Sequence, residues 1–295
     1  MRTFETDVQQ LKYRVLKEVA GRAYDGNLME SYYEIPKIIS PGPKATMRCC
    51  IYKERAIAQE RVRLAMGGDR RNPNVVEVIP IACDECPVER YQVSESCRGC
   101  ISQRCIKNCP KHAITKSKSG KAIIDPDMCI ECGRCAKVCP YGAITEHVRP
   151  CERSCKVGAI RMNEEKKAEI NIDKCIACGA CVYQCPFGAI MDKSFMVDAI
   201  NIIRNARDGE NYRTVAIVAP ALAAQFEDCS LGQVVTGIQA LGIDYVVEAA
   251  MGADMVADKE TDELAEKGFL TSSCCPAFVS YIQKQVPEMS DKISH

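Results

Sequence analysis

The sequence has 295 residues, room for two modest domains or one large one, and 47% of them are hydrophobic, enough to bury a core. Lysine plus arginine balances aspartate plus glutamate at 39 each, which speaks against a nucleic-acid footprint and against an acidic tail. Cysteine stands out at 21 residues; with no secretory leader in MRTFETDVQQLKYRVLKEVA and no apolar run of membrane-spanning length, the thiols read as reduced groups of a cytoplasmic protein, where clustered cysteine usually holds metal.

In chain order, residues 1–82 form a helical region. Phe4, Val8, Leu11, Val15 and Val19 share a face, Thr6 and Gln9 fit a capping box, and Gly26 lies beyond the helix end. The spacing predicts a second helix from about Pro43 to a stop at Gly67 and Gly68. Cys49 and Cys50 on that helix, like Cys229, read as small core hydrophobes rather than ligands. Residues 83–192 hold sixteen cysteines, and residues 193–213 read as a connecting helix with Met196, Ile200 and Ile203 as its apolar stripe. From 214 to 295 the pattern changes. TVAIVA reads as a buried parallel strand; Leu231, Val234, Val235, Ile238 and Leu241 mark a helix; IDYVVEAA marks a second strand, giving a βαβ unit.

The cysteine region repeats itself. CIECGRCAKVCPYGAI (129–144) and CIACGACVYQCPFGAI (175–190) share the spacing C-x2-C-x2-C-x3-C-P; CRGCISQRCIKNCPKHAI (97–114) carries two extra residues, and CERSCKVGAI (151–160) is the second half alone. Three thiolates within seven residues wrap the backbone round a compact object, and the glycine between them lets the backbone come close. The fourth cysteine, before a proline, points toward the neighbouring motif's cluster. This resembles the bacterial two-cluster ferredoxins, whose spacing it shares; structural zinc is the alternative, and suits paired C-x2-C units with longer loops.

The pseudo-twofold of such modules pairs Cys97, Cys100 and Cys105 with Cys139, and Cys129, Cys132 and Cys135 with Cys109. It likewise pairs Cys175, Cys178 and Cys181 with Cys155. Cys151 and Cys185 then hold half a site, which Cys83 and Cys86 of CDEC could complete as a fourth [4Fe-4S] cluster. A small zinc site and a relic half-module without metal remain alternatives. His112 stands where the sister motifs have glycine and reads as a surface turn, and KSKSGK (116–121) as a hairpin tip.

TSSCCPAF (271–278) sets two cysteines side by side. In an extended segment neighbouring side chains point to opposite sides, so Cys274 and Cys275 can have different roles, and Pro276 starts a helix. A buried, inert pair at a strand end is the alternative. SSCCPAF resembles the first active-site motif of the iron-only [FeFe] hydrogenases; VAPALAAQFED (218–228) and MGADMVADKETDEL (251–264) resemble segments of the same catalytic domain, and the order of clusters followed by an α/β domain is also that family's. The resemblance implies an α+β protein with N-terminal helices, two ferredoxin-like modules, then the first part of a hydrogenase catalytic domain.

It implies further that Cys275 ligates the cubane of an H-cluster (cubane plus diiron unit), that Cys274 passes protons, and that Glu260 and Glu263 line the proton path. As i and i+3 on a helix they share a face; a solvated helix with Glu263 paired to Lys267 is the alternative. The family's later cysteine motifs do not occur before His295, so the sequence is expected to be the front part of such an enzyme, lacking activity by itself. The implied partners are a soluble ferredoxin or similar low-potential carrier and H2 or protons, with no nucleic acid and no membrane insertion. A polyferredoxin-like electron-transfer or redox-sensing protein is the other reading.

Overall fold

A computed structural model of the protein describes residues 4–206, 209–226 and 228–294. Met1–Thr3, Arg207 and Asp208 of the expected connecting helix, Glu227 of the VAPALAAQFED segment and His295 lie outside the described residues.

Helix α1 (Asp7–Asp25) begins as its sequence dictates: the Thr6 hydroxyl accepts from the Gln9 amide, and Gly26 closes the helix in the left-handed region. The capping box is only half formed, since the Gln9 side chain accepts from the Glu5 amide instead. A short helix α2 (Ile35–Ile39) follows, then α3 (Ile51–Ala65). The start of α3 corrects the expected one by eight residues. Residues 46–48 turn their amides onto the buried carboxylate of Glu54, which accepts from Thr46, Met47 and Arg48, so this stretch is a loop folded round an anion. Cys49 and Cys50 are therefore exposed at the N-terminus of α3, and Cys229 is exposed too, against the core role expected of all three.

Helix α3 has two working faces. Ala58, Val62 and Ala65, at spacings of four and three, pack with Val15, Val19, Ile35, Ile39 and Ile200 into one core. Ile57 and Leu64 belong to a second core with Val76, Ile79, Ile190 and Met191. One helix thus holds the N-terminal layer against the cysteine region.

That region is built from two nested modules of short strands. Strands β1 (Val76–Val78) and β2 (Tyr91–Val93) come first. Then follow α4 (Arg104–Lys107), β3 (Ile114–Lys116), β4 (Ala122–Ile124), α5 (Arg134–Val138) and β5 (Ile144–Glu146). Next come α6 (Pro150–Ser154), β6 (Ile160–Met162), β7 (Ala168–Ile170), α7 (Ala180–Gln184) and β8 (Ile190–Asp192). In the first module β2 pairs β5 and β3 pairs β4, all antiparallel; in the second β1 pairs β8 and β6 pairs β7 in the same way. The outer strand of the second module precedes the whole first module in sequence. KSKSGK is the tip of the β3–β4 hairpin, as its composition indicates.

Helix α8 (Met196–Ala206) packs Ile200 onto α1 and leads to strand β9 (Val215–Val218), helix α9 (Leu231–Gln239) and strand β10 (Tyr245–Glu248). The two strands pair in parallel, so the βαβ reading holds. Their burial does not: Val215, Ile217, Tyr245 and Val247 are exposed, because among the described residues no third strand pairs with this sheet. Helix α10 (Ala249–Lys267) likewise leaves Met251 and Met255 exposed, and α11 (Pro276–Gln285) follows the cysteine pair. The architecture is α+β.

Candidate metal centres

All 21 cysteines are free thiols, and sixteen of them gather in four places. Cys105 lies within electrostatic reach of Cys100 and Cys139. Cys109, Cys129, Cys132 and Cys135 line one small cavity. Cys155, Cys175, Cys178 and Cys181 line another. Cys151 is surrounded by Cys83, Cys86 and Cys185. These are the sets that the motif symmetry assigns, including the fourth.

The local backbone explains why. Gly133 and Gly179, between the second and third cysteines of their motifs, sit in the left-handed region at φ 73° and 76°. Gln103 meets the same demand at φ 46° in the longer motif. After the fourth cysteine, Gly142, Gly158 and Gly188 turn with φ 56–60°, and His112 does so at 51°, a surface turn as its position indicates. That turn aims an amide back at the thiol. The Ala113 amide donates to Cys109 Sγ at 3.3 Å, Ala159 to Cys155 and Ala189 to Cys185, both at 3.2 Å. Amide-to-sulfur bonds stabilise thiolate and tune a bound cluster.

Burial opposes ionisation of these thiols in the empty protein. It pushes Cys151 up to about 12, with the neighbouring Cys185 and Cys83 adding to it, and Cys181 up to about 11. Thiols held close yet kept protonated are ligands awaiting a metal that displaces the proton. Among the described residues no three His, Cys, Asp or Glu side chains converge tightly enough for one ion. Zinc draws its ligands in to about 2.3 Å, whereas a cubane puts each thiolate on a separate iron, so wider cages suit the cluster and not the zinc alternative.

The fourth cage differs from the others. Cys83, Cys151 and Cys185 are buried, whereas Cys132 and Cys178 of other cages are exposed. Cys83 Sγ accepts from the Ala168 amide at 3.3 Å and faces the Arg149 guanidinium at 3.8 Å. The loop after Cys185 lies so close to the N-terminal helices that a Cβ on Gly188 would come within 2.8 Å of Val8. The motif spacing gave no sign of Arg149, nor of Arg61 beside this loop; a lone arginine outside the repeat carries no pattern.

Cys274 and Cys275 are both exposed, so the inert buried pair is not what forms. Cys275 is extended at φ −104° and ψ 107° and precedes Pro276 at the start of α11. The Ser272 hydroxyl donates to Cys274 Sγ at 3.1 Å, and Ser294 fixes the loop through the Ser273 amide. Glu263 pairs with Lys267 at 2.6 Å on α10, and Glu260 stands half-exposed one turn earlier. No cysteine follows Cys275 in this sequence, so its residues alone do not fit the cubane half of an H-cluster. The link between this segment and the cages comes from Lys284 on α11, whose ammonium donates to the carbonyls of Ile172 at 3.0 Å and Cys175 at 2.7 Å.

Comparison with known proteins agrees with this division. Residues 96–143 and 121–186 each match a 4Fe-4S dicluster domain, and residues 212–295 match the iron only hydrogenase large subunit, C-terminal domain. A tetrathionate reductase subunit from Archaeoglobus fulgidus is 36% identical over 72 residues, 22% of this sequence and 35% of that protein. A component of the anaerobic dimethyl sulfoxide reductase of Escherichia coli K12 is 43% identical over 53 residues, covering 18% and 26%. A 7Fe ferredoxin of Hydrogenibacillus schlegelii is 41% identical over 54 residues, 18% of this sequence and 68% of the ferredoxin. The match thus spans about a third or less of the two reductase components. None of the described helices is long and apolar enough to cross a membrane. Ferredoxin-type 4Fe-4S domains are here joined to an iron-only hydrogenase large-subunit domain, and by that combination the protein belongs to the iron-only hydrogenase family.

Proposed function

We propose that the protein is the electron-relay part of an [FeFe]-hydrogenase-type oxidoreductase, carrying single electrons through four [4Fe-4S] clusters toward the segment of Cys274 and Cys275. The ligand sets are Cys97, Cys100, Cys105 and Cys139; Cys109, Cys129, Cys132 and Cys135; Cys155, Cys175, Cys178 and Cys181; and Cys83, Cys86, Cys151 and Cys185. Bound there, the clusters supply one-electron storage. The protein keeps them apart from bulk water, directs amides at their sulfurs and fixes their order in space.

The observation that carries this reading is the Lys284 bond to Cys175, which fastens the helix after the cysteine pair to the backbone of a cage. Potentials are compatible: proton reduction at pH 7 needs about −410 mV, seven steps of 59 mV, and ferredoxin-type clusters reach about −400 mV. A ferredoxin or other low-potential carrier is the matching partner. Cys275 as ligand, Cys274 as proton donor and Glu260 and Glu263 as a proton path belong to this proposal too, completed by ligands beyond those in this sequence.

The test is hydrogen evolution from reduced viologen by the natural protein after maturation. Activity that disappears in Cys275→Ser while the clusters remain reducible supports the hydrogenase reading. Reducible clusters with no hydrogen turnover in the wild type would favour a second reading, a pure electron-transfer protein, which the similarity to components of the two reductases supports.

A further inference from the structure

The fourth cage has an unusual electrostatic setting. Arg61 on α3 is 3% exposed and Arg149 is 5% exposed. Arg61 donates to the carbonyls of Phe187 and Gly188, both at 3.1 Å, and its Nε has no partner. Arg149 faces Cys83 Sγ. Among the ion pairs of the described residues neither guanidinium has a carboxylate, while the nearby Arg48 is matched by Asp84 and Glu85 at 3.6 and 3.3 Å.

Burying a cation without an anion is strongly unfavourable, and carbonyl bonds supply dipoles but no charge. The anion on hand is the cage itself. Cys185 is the neighbour that favours the charged form of Arg61, against burial and Arg48. Four thiolates outweigh the charge of an iron–sulfur core, so a cluster held here is an anion in both oxidation states, more so when reduced. Burial alone would make its reduction harder; two uncompensated cations work in the opposite direction, and the low dielectric strengthens them.

We propose that Arg61 and Arg149 set the potential of the cluster in the Cys83–Cys86–Cys151–Cys185 cage and make it the first of the four to accept an electron. The inference rests on the relay reading and gives the N-terminal helical layer a purpose, since α3 brings a cation to a cluster that the dicluster-domain matches, which begin at residue 96, do not fully contain. One electron from dithionite is taken up and adds one negative charge, which the two guanidinium groups balance; dithionite is oxidised.

The experiment is an EPR-monitored redox titration of the cluster-loaded protein with dithionite, in the wild type and in Arg61→Gln, Arg149→Gln and Arg61→Lys, with iron analysed in each. One midpoint above the other three is expected in the wild type. Each glutamine variant should lower that midpoint alone, by about tenfold in reduced fraction at fixed potential, equal to about 59 mV for a one-electron couple; Arg61→Lys should restore it. Iron lost from a glutamine variant and recovered in Arg61→Lys also supports charge compensation. Four unmoved midpoints at full iron content would overturn the inference, as would iron loss in Arg61→Lys equal to that in Arg61→Gln. A wild type with only three clusters would instead overturn the four-cluster reading beneath it.

Discussion

The ammonium of Lys284 donates to the carbonyl of Cys175 at 2.7 Å, across 109 residues of sequence. Lys284 lies on the helix that begins one residue after Cys275, and Cys175 opens the last cysteine motif, so one side chain joins the hydrogenase-type domain to a cage. Lys284→Ala removes two charge-assisted bonds at an exposed site, worth about 1 kcal/mol together. Hydrogen exchange should quicken in residues 276–285 and 172–175 and stay unchanged in the β3–β4 hairpin. Equal protection in the variant would show that other contacts hold the two parts together.

Cysteine identity decides iron content. Cys151→Ser should lose about four irons per molecule, one cubane, and lower the melting temperature of the second module, because Cys151 lies in its core with Ile79 and Ile190. Cys50→Ser, at an exposed thiol outside every cage, should lose none. Iron lost equally from both would contradict the assignment.

The cages were largely legible in the sequence, and the reason is physical. A cubane demands a fixed local backbone, with left-handed residues such as Gly133 and a turn such as Gly188, so ligand spacing and conformation are written in short range. What surrounds the cages was not legible. Glu54 holds residues 46–48 out of a helix by three amide bonds, and nothing in their composition announces it. Arg61 reaches the Cys185 loop from a helix far upstream in sequence. Strands β9 and β10 read as buried because their residues are apolar, yet burial depends on what packs against them.

The Glu54 anchor has its own test. Burial acts to raise its carboxyl, but the amides of Met47, Arg48 and Thr46 outweigh that and hold it below the usual carboxylate range. Glu54→Ala strands those donors and should cost about 2–4 kcal/mol in urea unfolding of the N-terminal layer. Glu54→Gln, which keeps an acceptor, should cost less than the alanine variant. A cost for Glu54→Ala below about 0.5 kcal/mol, the range of a neutral surface change, would refute the anchor.

Acid should leave the entry to β9 intact over most of its range. The Thr214 amide, with the Arg213 guanidinium and the Thr214 hydroxyl, lowers the Asp244 carboxyl to about 2. For a depressed carboxylate the stabilisation is complete above the unfolded value of about 3.9 and disappears as pH falls through the folded one. The window is therefore about pH 4 to 2. An NMR titration of the Asp244 carboxyl should give a midpoint near the lower end; a midpoint near the unfolded value would mean that the bonds do not form in solution.

The central claim is that the sixteen cysteines make four cubane cages leading to the hydrogenase-type domain. It is tested most directly by counting iron and acid-labile sulfide in the anaerobically purified, reconstituted 295-residue protein, with EPR of the dithionite-reduced sample. About sixteen irons and as many sulfides per molecule, with spin-coupled signals from neighbouring reduced clusters, is the predicted result. A count of about twelve would remove the Cys83–Cys86–Cys151–Cys185 site, and zinc in place of iron would contradict the relay itself.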